Sequence, residues 1–159
     1  MIRYTTGNLL LADVEALVNT VNTVGVMGKG VALQFKETFP HNFHAYEKAC
    51  TRGEVQIGRM FVTETGRLDG PRWIINFPTK KNWRHPSKLD YVRVGLADLV
   101  RVIRERHIKS VALPPLGCGY GGLNWPQVKQ AIEATLAQLP DVDVMVYPPT
   151  GVTGNAERR

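Results

Sequence analysis

The hydrophobic positions fall into short, nearly continuous apolar runs separated by longer stretches with helical periodicity. Short apolar runs are typical of strands that are buried in a sheet. Such strands are predicted at residues 2–4, 15–21, 59–63, 73–77, 111–113 and 142–147.

The intervening stretches repeat apolar residues every three or four positions, which indicates amphipathic helices. These helices are predicted at residues 31–39, 42–51, 88–107 and 125–139, with one further helical turn at 9–11. Pro40 ends the first of them, and Asn124 caps the last, where Pro126 is tolerated in the first turn. Ser87, with Asp90 three positions later, predicts a capping box for the longest helix.

Strands that alternate with helices predict an α/β fold in which helices cover both faces of one sheet. Helical crossovers favour parallel pairing. We therefore expect a three-layer α/β/α sandwich with a central mixed, mostly parallel sheet. The length of 159 residues suits one domain, placed at residues 1–149, and residues 150–159 are predicted to be a flexible tail or the start of a linker.

Charge and cysteine content narrow the class of protein. The net charge of +6 favours an anionic partner, either nucleic acid or a phosphate-bearing ligand. The two cysteines and four histidines follow no metal or redox spacing, so neither a metal nor a cofactor is expected. No apolar run approaches the roughly 18 residues of a membrane span. These features predict a soluble cytoplasmic protein that makes no contact with a membrane.

Two glycine-rich loops each run from a predicted strand into a predicted helix, at residues 22–30 and 114–126. Glycine lets a ligand approach the main chain, and free N–H groups at the start of a helix attract phosphates. Ligands of open α/β sheets bind beyond the carboxyl ends of the strands, where both loops are expected. Two facing loops could hold a diphosphate. The alternative is that the loops are tight turns that bind no ligand. Neither the phosphate-binding loop of nucleotide hydrolases nor the dinucleotide fingerprint fits these loops.

The segments at residues 6–9, 16–22, 28–32 and 115–125 resemble the ligand-binding segments of macrodomains, in the order found in that family. The resemblance runs from about residue 2 to residue 147. It implies an α/β/α fold that binds ADP-ribose.

Residues 77–84 and 116–119 look like the lysine-dependent ADP-ribosyl glycohydrolase branch of the family. They are most similar to the macrodomains of DarG antitoxins, and these resemble the terminal ADP-ribose protein glycohydrolase of eukaryotes. The implied activity is removal of ADP-ribose from thymidine in single-stranded DNA, as the antitoxin to an ADP-ribosyltransferase toxin that a further domain would contact. A non-catalytic ADP-ribose-binding module, and an enzyme acting on ADP-ribosylated protein or O-acetyl-ADP-ribose, remain alternatives.

The resemblance also implies site residues. Lys80 would be catalytic, acting as nucleophile or base, or polarising or protonating the leaving base while water attacks. Both routes stay open because Gly121 stands where the eukaryotic relative carries an assisting aspartate. The alternative is that Lys80 only holds substrate or DNA phosphate. Cys118 is expected to pack and not to act as a nucleophile. The predicted ADP-ribose contacts are Asn8, Leu9 and Tyr147 at the adenine, Asn22 at the distal ribose, and Met27, Gly28, Gly30, Val31, Gly117, Cys118, Gly119, Tyr120 and Gly121 along the ligand. For Tyr147, a role as a core residue at the end of a strand is the alternative.

A basic cluster around one aromatic residue follows the fourth strand. Its members are Lys81, Trp83, Arg84, His85 and Lys88. Cations can neutralise DNA phosphates, and an indole can stack on an unpaired base. We predict that Lys81, Trp83, Arg84 and His85 bind nucleic acid. The alternative is a solvated loop with Trp83 tucked into the core.

Overall fold

The computed structural model describes residues 1–150 of the chain. The predicted tail at 150–159 therefore lies, apart from Thr150, outside the described residues.

Within that part of the chain, six strands form one sheet in the order β1-β6-β5-β2-β4-β3. The strands are β1 (Ile2–Tyr4), β2 (Ala16–Asn22), β3 (Phe61–Glu64), β4 (Trp73–Lys80), β5 (Ser110–Leu113) and β6 (Asp143–Val146). Every neighbouring pair is parallel except β3 with β4, which is antiparallel. The prediction of a mixed, mostly parallel sheet is confirmed.

Helices pack on both faces of this sheet. They are α1 (Gly30–Thr38), α2 (Pro40–Thr51), α3 (Leu89–Glu105) and α4 (Trp125–Leu136), with short 3-10 turns at Leu9–Leu11 and Gly119–Gly121. Alternate side chains of β2 enter different cores: Ala16 and Val18 join the cluster that contains residues of α3 and α4, whereas Leu17 packs with Phe35 of α1. This alternation confirms the three-layer arrangement. None of the helices described is both long and apolar enough to cross a bilayer.

Strand β4 runs three residues further than predicted and ends at Lys80. Proline is unusual inside a strand, because it removes a ladder hydrogen bond. Proline is tolerated here since β3 pairs with β4 only as far as Asn76, which leaves Pro78 with a strand partner on one side alone. A register shift between Val21 and Asn22 then sets Lys80 directly opposite Asn22.

The capping box predicted at Ser87 is wrong. Helix α3 starts with Lys88 as its N-cap residue and has no side-chain cap. The Ser87 hydroxyl instead donates to the Thr79 carbonyl, and the Ser87 N–H donates to the Gly121 carbonyl at 2.9 Å. Ser87 therefore joins the end of β4 to the second glycine-rich loop.

Candidate active site

A cleft of about 1100 Å³ opens where β2 and β4 end. Its walls include the two glycine-rich loops, which face each other, and Lys80 lies between them. This volume lies slightly above the range for small-molecule sites, roughly 300–1000 Å³. The cleft can therefore hold an extended ligand.

The first loop is shaped by the side chain of Asn22. Its Nδ2 donates to the Val26 carbonyl at 2.8 Å, and its Oδ1 accepts from the Val24 and Val26 N–H groups at 3.1 and 3.3 Å. The hydroxyl of the buried Tyr46 lies 2.9 Å from the same Oδ1. The Asn22 side chain thus makes hydrogen bonds within the loop through both its Nδ2 and its Oδ1. Its contact with a distal ribose stays a prediction.

The second loop depends on glycine for a different reason. Gly117 has φ +72°, and a Cβ there would lie 2.5 Å from Leu123 Cδ1. The Leu123 N–H closes the loop on the Gly117 carbonyl at 3.0 Å. A side chain at position 117 would therefore strain the backbone and force the loop open.

Tyr120 connects the two loops across the cleft. Its side chain is 69% exposed, and a Cβ on Gly30 would lie 3.5 Å from its Cε2 atom. The Lys29 Nζ lies 5.2 Å from the centre of the Tyr120 ring, within cation–π range. Lys29 thus brings the first loop into contact with the second. Lys29 was not predicted as a site residue, although it lies between Gly28 and Gly30, which were.

Lys80 ends β4 with its amine in the cleft. Its Nζ donates to the Trp83 carbonyl at 3.4 Å. The pKa of this amine is lowered, first because burial penalises the charged form and second because the Lys29 cation is near. A lowered pKa raises the fraction of free amine, which is the form that can act as nucleophile or base.

Gly121 faces Lys80. A Cβ at position 121 would lie 3.9 Å from Lys80 Cε and 3.1 Å from Ser87 Cβ. An acidic side chain at this position would therefore be a neighbour of the lysine, but Gly121 itself supplies no carboxylate. The position at which this chain has glycine in place of the aspartate of its eukaryotic relative is therefore next to the candidate catalytic amine.

We expect Lys29→Ala to raise the pKa of Lys80 without restoring its ordinary value, because the burial of the amine remains. NMR titration of the lysine side-chain amines would measure the change. Lys36→Ala is the matched control, since Lys36 lies on α1 over the Phe43 ring, 4.5 Å from its centre. An unchanged Lys80 pKa in Lys29→Ala would refute the coupling.

The basic segment that follows Lys80 lies on the rim of the cleft. Trp83 is 45% exposed, so the alternative that buries it in the core is wrong. The Arg84 guanidinium stacks 4.7 Å from the centre of its ring. Asn82 holds the turn, because its Oδ1 accepts from the Arg84 N–H at 3.0 Å. This rim offers a cation and a partly exposed aromatic ring next to Lys80.

The structure brings most of the predicted site residues together. Those that line the cleft are Asn22, Gly28, Gly30, Val31, Lys80, Trp83, Arg84, His85, Gly117, Cys118, Gly119, Tyr120 and Gly121. Burial raises the pKa of the Cys118 thiol to about 11, which suits the expected packing role and not a nucleophile. Among the described residues, no three His, Cys, Asp or Glu side chains are grouped as a metal site would require.

The remaining predicted contacts are not among the residues that line the cleft: Asn8, Leu9, Met27, Lys81 and Tyr147. Met27 is 1% exposed and packs against Tyr46 in the core, so its side chain is not available to a ligand in the cleft.

The residues predicted to hold adenine lie at the first 3-10 turn and in a buried cluster next to Val31. The Asn8 Oδ1 accepts from the Leu10 N–H at 3.0 Å and so caps the first 3-10 turn. Leu9 and Tyr147 are buried in one cluster, against which Val31 packs. At 9% exposure, Tyr147 occupies the core position that the sequence left as the alternative, and burial raises its pKa. Contacts of these residues with adenine stay predictions.

Comparison with known proteins agrees with this geometry. The Macro domain family model matches residues 18–132. A protein of Mycobacterium tuberculosis described as a DNA ADP-ribosyl glycohydrolase is 66% identical over 151 residues, covering 95% of this chain and 43% of its own length. The chain thus spans less than half of that relative.

Two solved structures are similar as well. The macrodomain of Mycobacterium tuberculosis DarG superposes with a TM-score of 0.94 at 66% identity, covering 94% of this chain and 99% of that one. Thermosipho africanus DarTG in complex with ADP-ribose gives a TM-score of 0.88 at 29% identity, covering 98% and 44%.

Proposed function

This chain belongs to the macrodomain family, and from that premise we propose that it is a DNA ADP-ribosyl glycohydrolase. The substrate is single-stranded DNA carrying ADP-ribose on thymidine, and the reaction hydrolyses the N-glycosidic bond between the distal ribose and the base. The 66% identity to a relative of that description supports the assignment.

The observation that carries the proposal is the amine of Lys80 in the cleft, between the two loops. A module that only holds ADP-ribose needs no amine at this position, whereas bond cleavage can use one as nucleophile, base or acid. Lys80 therefore favours an enzyme over a binding module.

In the proposed complex, the diphosphate of ADP-ribose lies between the two loops. Gly28 and Gly30 border it on one side and the turn at Gly119–Gly121 on the other, with main-chain N–H groups as donors. The Lys29 ammonium, which projects over Tyr120, adds a positive charge at the same place. These contacts bring the distal ribose toward Lys80.

Two routes from this arrangement lead to the same products. In the first, the free Lys80 amine bonds to the anomeric carbon while the bond to thymine breaks, the electron pair leaves with the base, and water then hydrolyses the adduct. In the second, water attacks the anomeric carbon directly, and the protonated Lys80 gives a proton to the departing base. Gly121 in place of an acid leaves both routes open.

We also propose that the chain acts as the antitoxin half of a pair in the cytoplasm, where it reverses the modification made by an ADP-ribosyltransferase toxin. A Thermosipho africanus relative that is 34% identical over 158 residues is described as a DNA ADP-ribosyl transferase-DNA ADP-ribosyl glycohydrolase fusion protein, which supports this pairing. We assign contact with the toxin to a further domain; the Mycobacterium tuberculosis relative is long enough to hold one, since this chain covers 43% of its length.

A panel of substrates tests the function. The protein is incubated with ADP-ribosylated single-stranded DNA, with glutamate-ADP-ribosylated protein and with O-acetyl-ADP-ribose, and the released products are measured. We expect ADP-ribose release from the DNA. Binding without any release would support a non-catalytic ADP-ribose-binding module instead. Release from the modified protein or from O-acetyl-ADP-ribose alone would show that these are the substrates.

Trp83→Ala and Arg84→Ala should each lower kcat/KM on modified DNA by about 10- to 100-fold, because stacking on one base contributes about 1–3 kcal/mol and the guanidinium neutralises phosphate. Release from an ADP-ribosylated nucleoside should respond to Trp83→Ala and much less to Arg84→Ala, since the nucleoside has no DNA phosphate. Steady-state kinetics on both substrates measure the two effects.

Arg106→Ala is the matched control for Arg84→Ala. Arg106 also lies over an indole, 5.2 Å from the centre of the Trp73 ring, but at the opposite end of β4. Wild-type kinetics are expected for it. Unchanged activity of both Trp83→Ala and Arg84→Ala on DNA would remove the rim from substrate recognition.

A further inference from the structure

A second basic aromatic patch adjoins the rim in sequence, and its residues are not among those that line the cleft. It consists of Lys81, Lys88 and Tyr91, and we name it the Tyr91 patch. The two lysine Nζ atoms each lie 5.8 Å from the centre of the Tyr91 ring. Lys81 and Lys88 are exposed and Tyr91 is half-buried. The proposed reaction uses none of these three side chains, and Lys81 is one of the residues that the sequence predicts to bind nucleic acid.

The patch is continuous with the active site through the chain itself. Lys81 directly follows Lys80 at the end of β4, and its carbonyl accepts from the Thr23 hydroxyl at 2.7 Å. Lys88 directly follows Ser87, which is tied to Thr79 and Gly121. Each lysine therefore directly follows a residue that lines the cleft or is hydrogen-bonded to residues that line it.

The charges at the patch are unbalanced in favour of cations. The nearest acidic residue in sequence is Asp90, which lies 3.5 Å from Arg93 in an exposed ion pair. Lys81 and Lys88 have no ion pair with a carboxylate among the described residues. An aromatic ring between two such cations is the combination that binds single-stranded nucleic acid, in which phosphates and bases alternate.

We propose that the Tyr91 patch is a subsite for the nucleotide next to the modified thymidine. Lys81 and Lys88 neutralise phosphates on this flank of the modified residue, and the Tyr91 ring packs against the neighbouring base. This inference rests on the proposed DNA substrate and extends it: the enzyme recognises a strand, with Trp83 at the modified position and Tyr91 at a flanking one.

The test compares two substrates that share the scissile bond, an ADP-ribosylated thymidine nucleoside and an ADP-ribosylated single-stranded oligonucleotide. Tyr91→Ala and Lys88→Ala should each reduce kcat/KM on the oligonucleotide by about 5- to 50-fold, chiefly through KM, and leave the nucleoside unchanged. Tyr91→Phe should retain activity because it keeps the ring. Higher salt should weaken oligonucleotide binding less in Lys88→Ala than in the wild type.

Lys129→Ala is the matched control, because Lys129 also lies over a tyrosine ring, 5.0 Å from the centre of Tyr4, and Tyr4 belongs to edge strand β1. It should behave as the wild type on both substrates. Equal losses on the two substrates would mean a structural effect, and no loss on either would exclude the subsite; both results overturn the inference. If the wild type released ADP-ribose from neither substrate, the proposed function itself would fail.

Discussion

Lys80→Ala is expected to lower the rate of ADP-ribose release from modified single-stranded DNA by about 100- to 10,000-fold, the range that a single acid–base or nucleophilic group contributes. The physical reason is that the variant loses the amine in the cleft between the two loops. Its affinity for free ADP-ribose should change little, because the loops that hold the diphosphate are untouched. Single-turnover kinetics and calorimetric titration measure the two quantities separately.

Two controls separate the chemistry of Lys80 from its charge and from lysine loss in general. Lys80→Arg keeps a cation but provides no free amine, so it should be nearly as inactive as Lys80→Ala if the amine is nucleophile or base. Lys48→Ala removes an exposed lysine from the last turn of α2 and should be fully active. Release by Lys80→Ala at the wild-type rate would remove Lys80 from the mechanism.

Reduction during turnover distinguishes the two routes. If Lys80 forms a covalent adduct with the ribose, borohydride should trap ADP-ribose on the wild-type protein, and mass spectrometry should place it on Lys80. If water attacks directly, no adduct forms. The pH dependence of the rate is an independent test. Lys29→Ala should raise the Lys80 pKa. If the reaction requires the free amine, its pH–rate profile should then shift to higher pH and the rate at neutral pH should fall.

Gly95→Ala is expected to destabilise the fold by about 2 kcal/mol and lower Tm by about 4–8 °C. A Cβ at position 95 would lie 2.3 Å from Phe77 Cε1 and 2.4 Å from Phe77 Cζ, and Phe77 is fully buried. The variant must push α3 away from β4 or force the ring out of its place. That cost exceeds the roughly 1 kcal/mol that alanine contributes to a helix interior relative to glycine.

Phe77→Leu offers a specific rescue, because leucine lacks the two ring atoms that would clash. The double variant Gly95→Ala/Phe77→Leu should be more stable than the sum of the single changes, by an interaction energy of about 1 kcal/mol or more. Chemical denaturation of the four proteins completes the cycle. A Gly95→Ala protein as stable as the wild type would show that α3 does not need this close approach to β4.

The position of Gly95 matters for the site as well as for stability. Phe77 precedes Lys80 by three residues on β4, so a displaced ring shifts the strand end that carries the amine. We therefore expect Gly95→Ala to lose part of its activity even at temperatures where it remains folded.

The architecture could be predicted from the sequence because it depends on local periodicity. The apolar runs of β2 and β5 and the apolar stripe of α3 show which residues are buried, whichever elements they pack against. The glycine-rich loops were visible for the same reason, since glycine in a strand-to-helix connection is a local requirement of the backbone. Lys80 was predicted as the catalytic residue because residues 77–84 resemble the lysine-dependent branch of the family.

Other features depended on residues far apart in the chain and were decided by the tertiary structure. Ser87 has the spacing of a helix cap, yet it bonds to Thr79 and Gly121 because the fold brings their carbonyls to it. Met27 lies in a ligand loop by sequence, but its side chain is the one that fills the core against Tyr46.

The electrostatics of the site also arise only in three dimensions. The pKa of Lys80 depends on burial and on Lys29, which approaches it from another strand-to-helix loop, and the Tyr91 patch forms because Lys81 and Lys88 converge on one ring. Sequence patterns show which residues of each segment are buried. Charge, burial and contact at a site depend on distances between segments, which the packed fold alone determines.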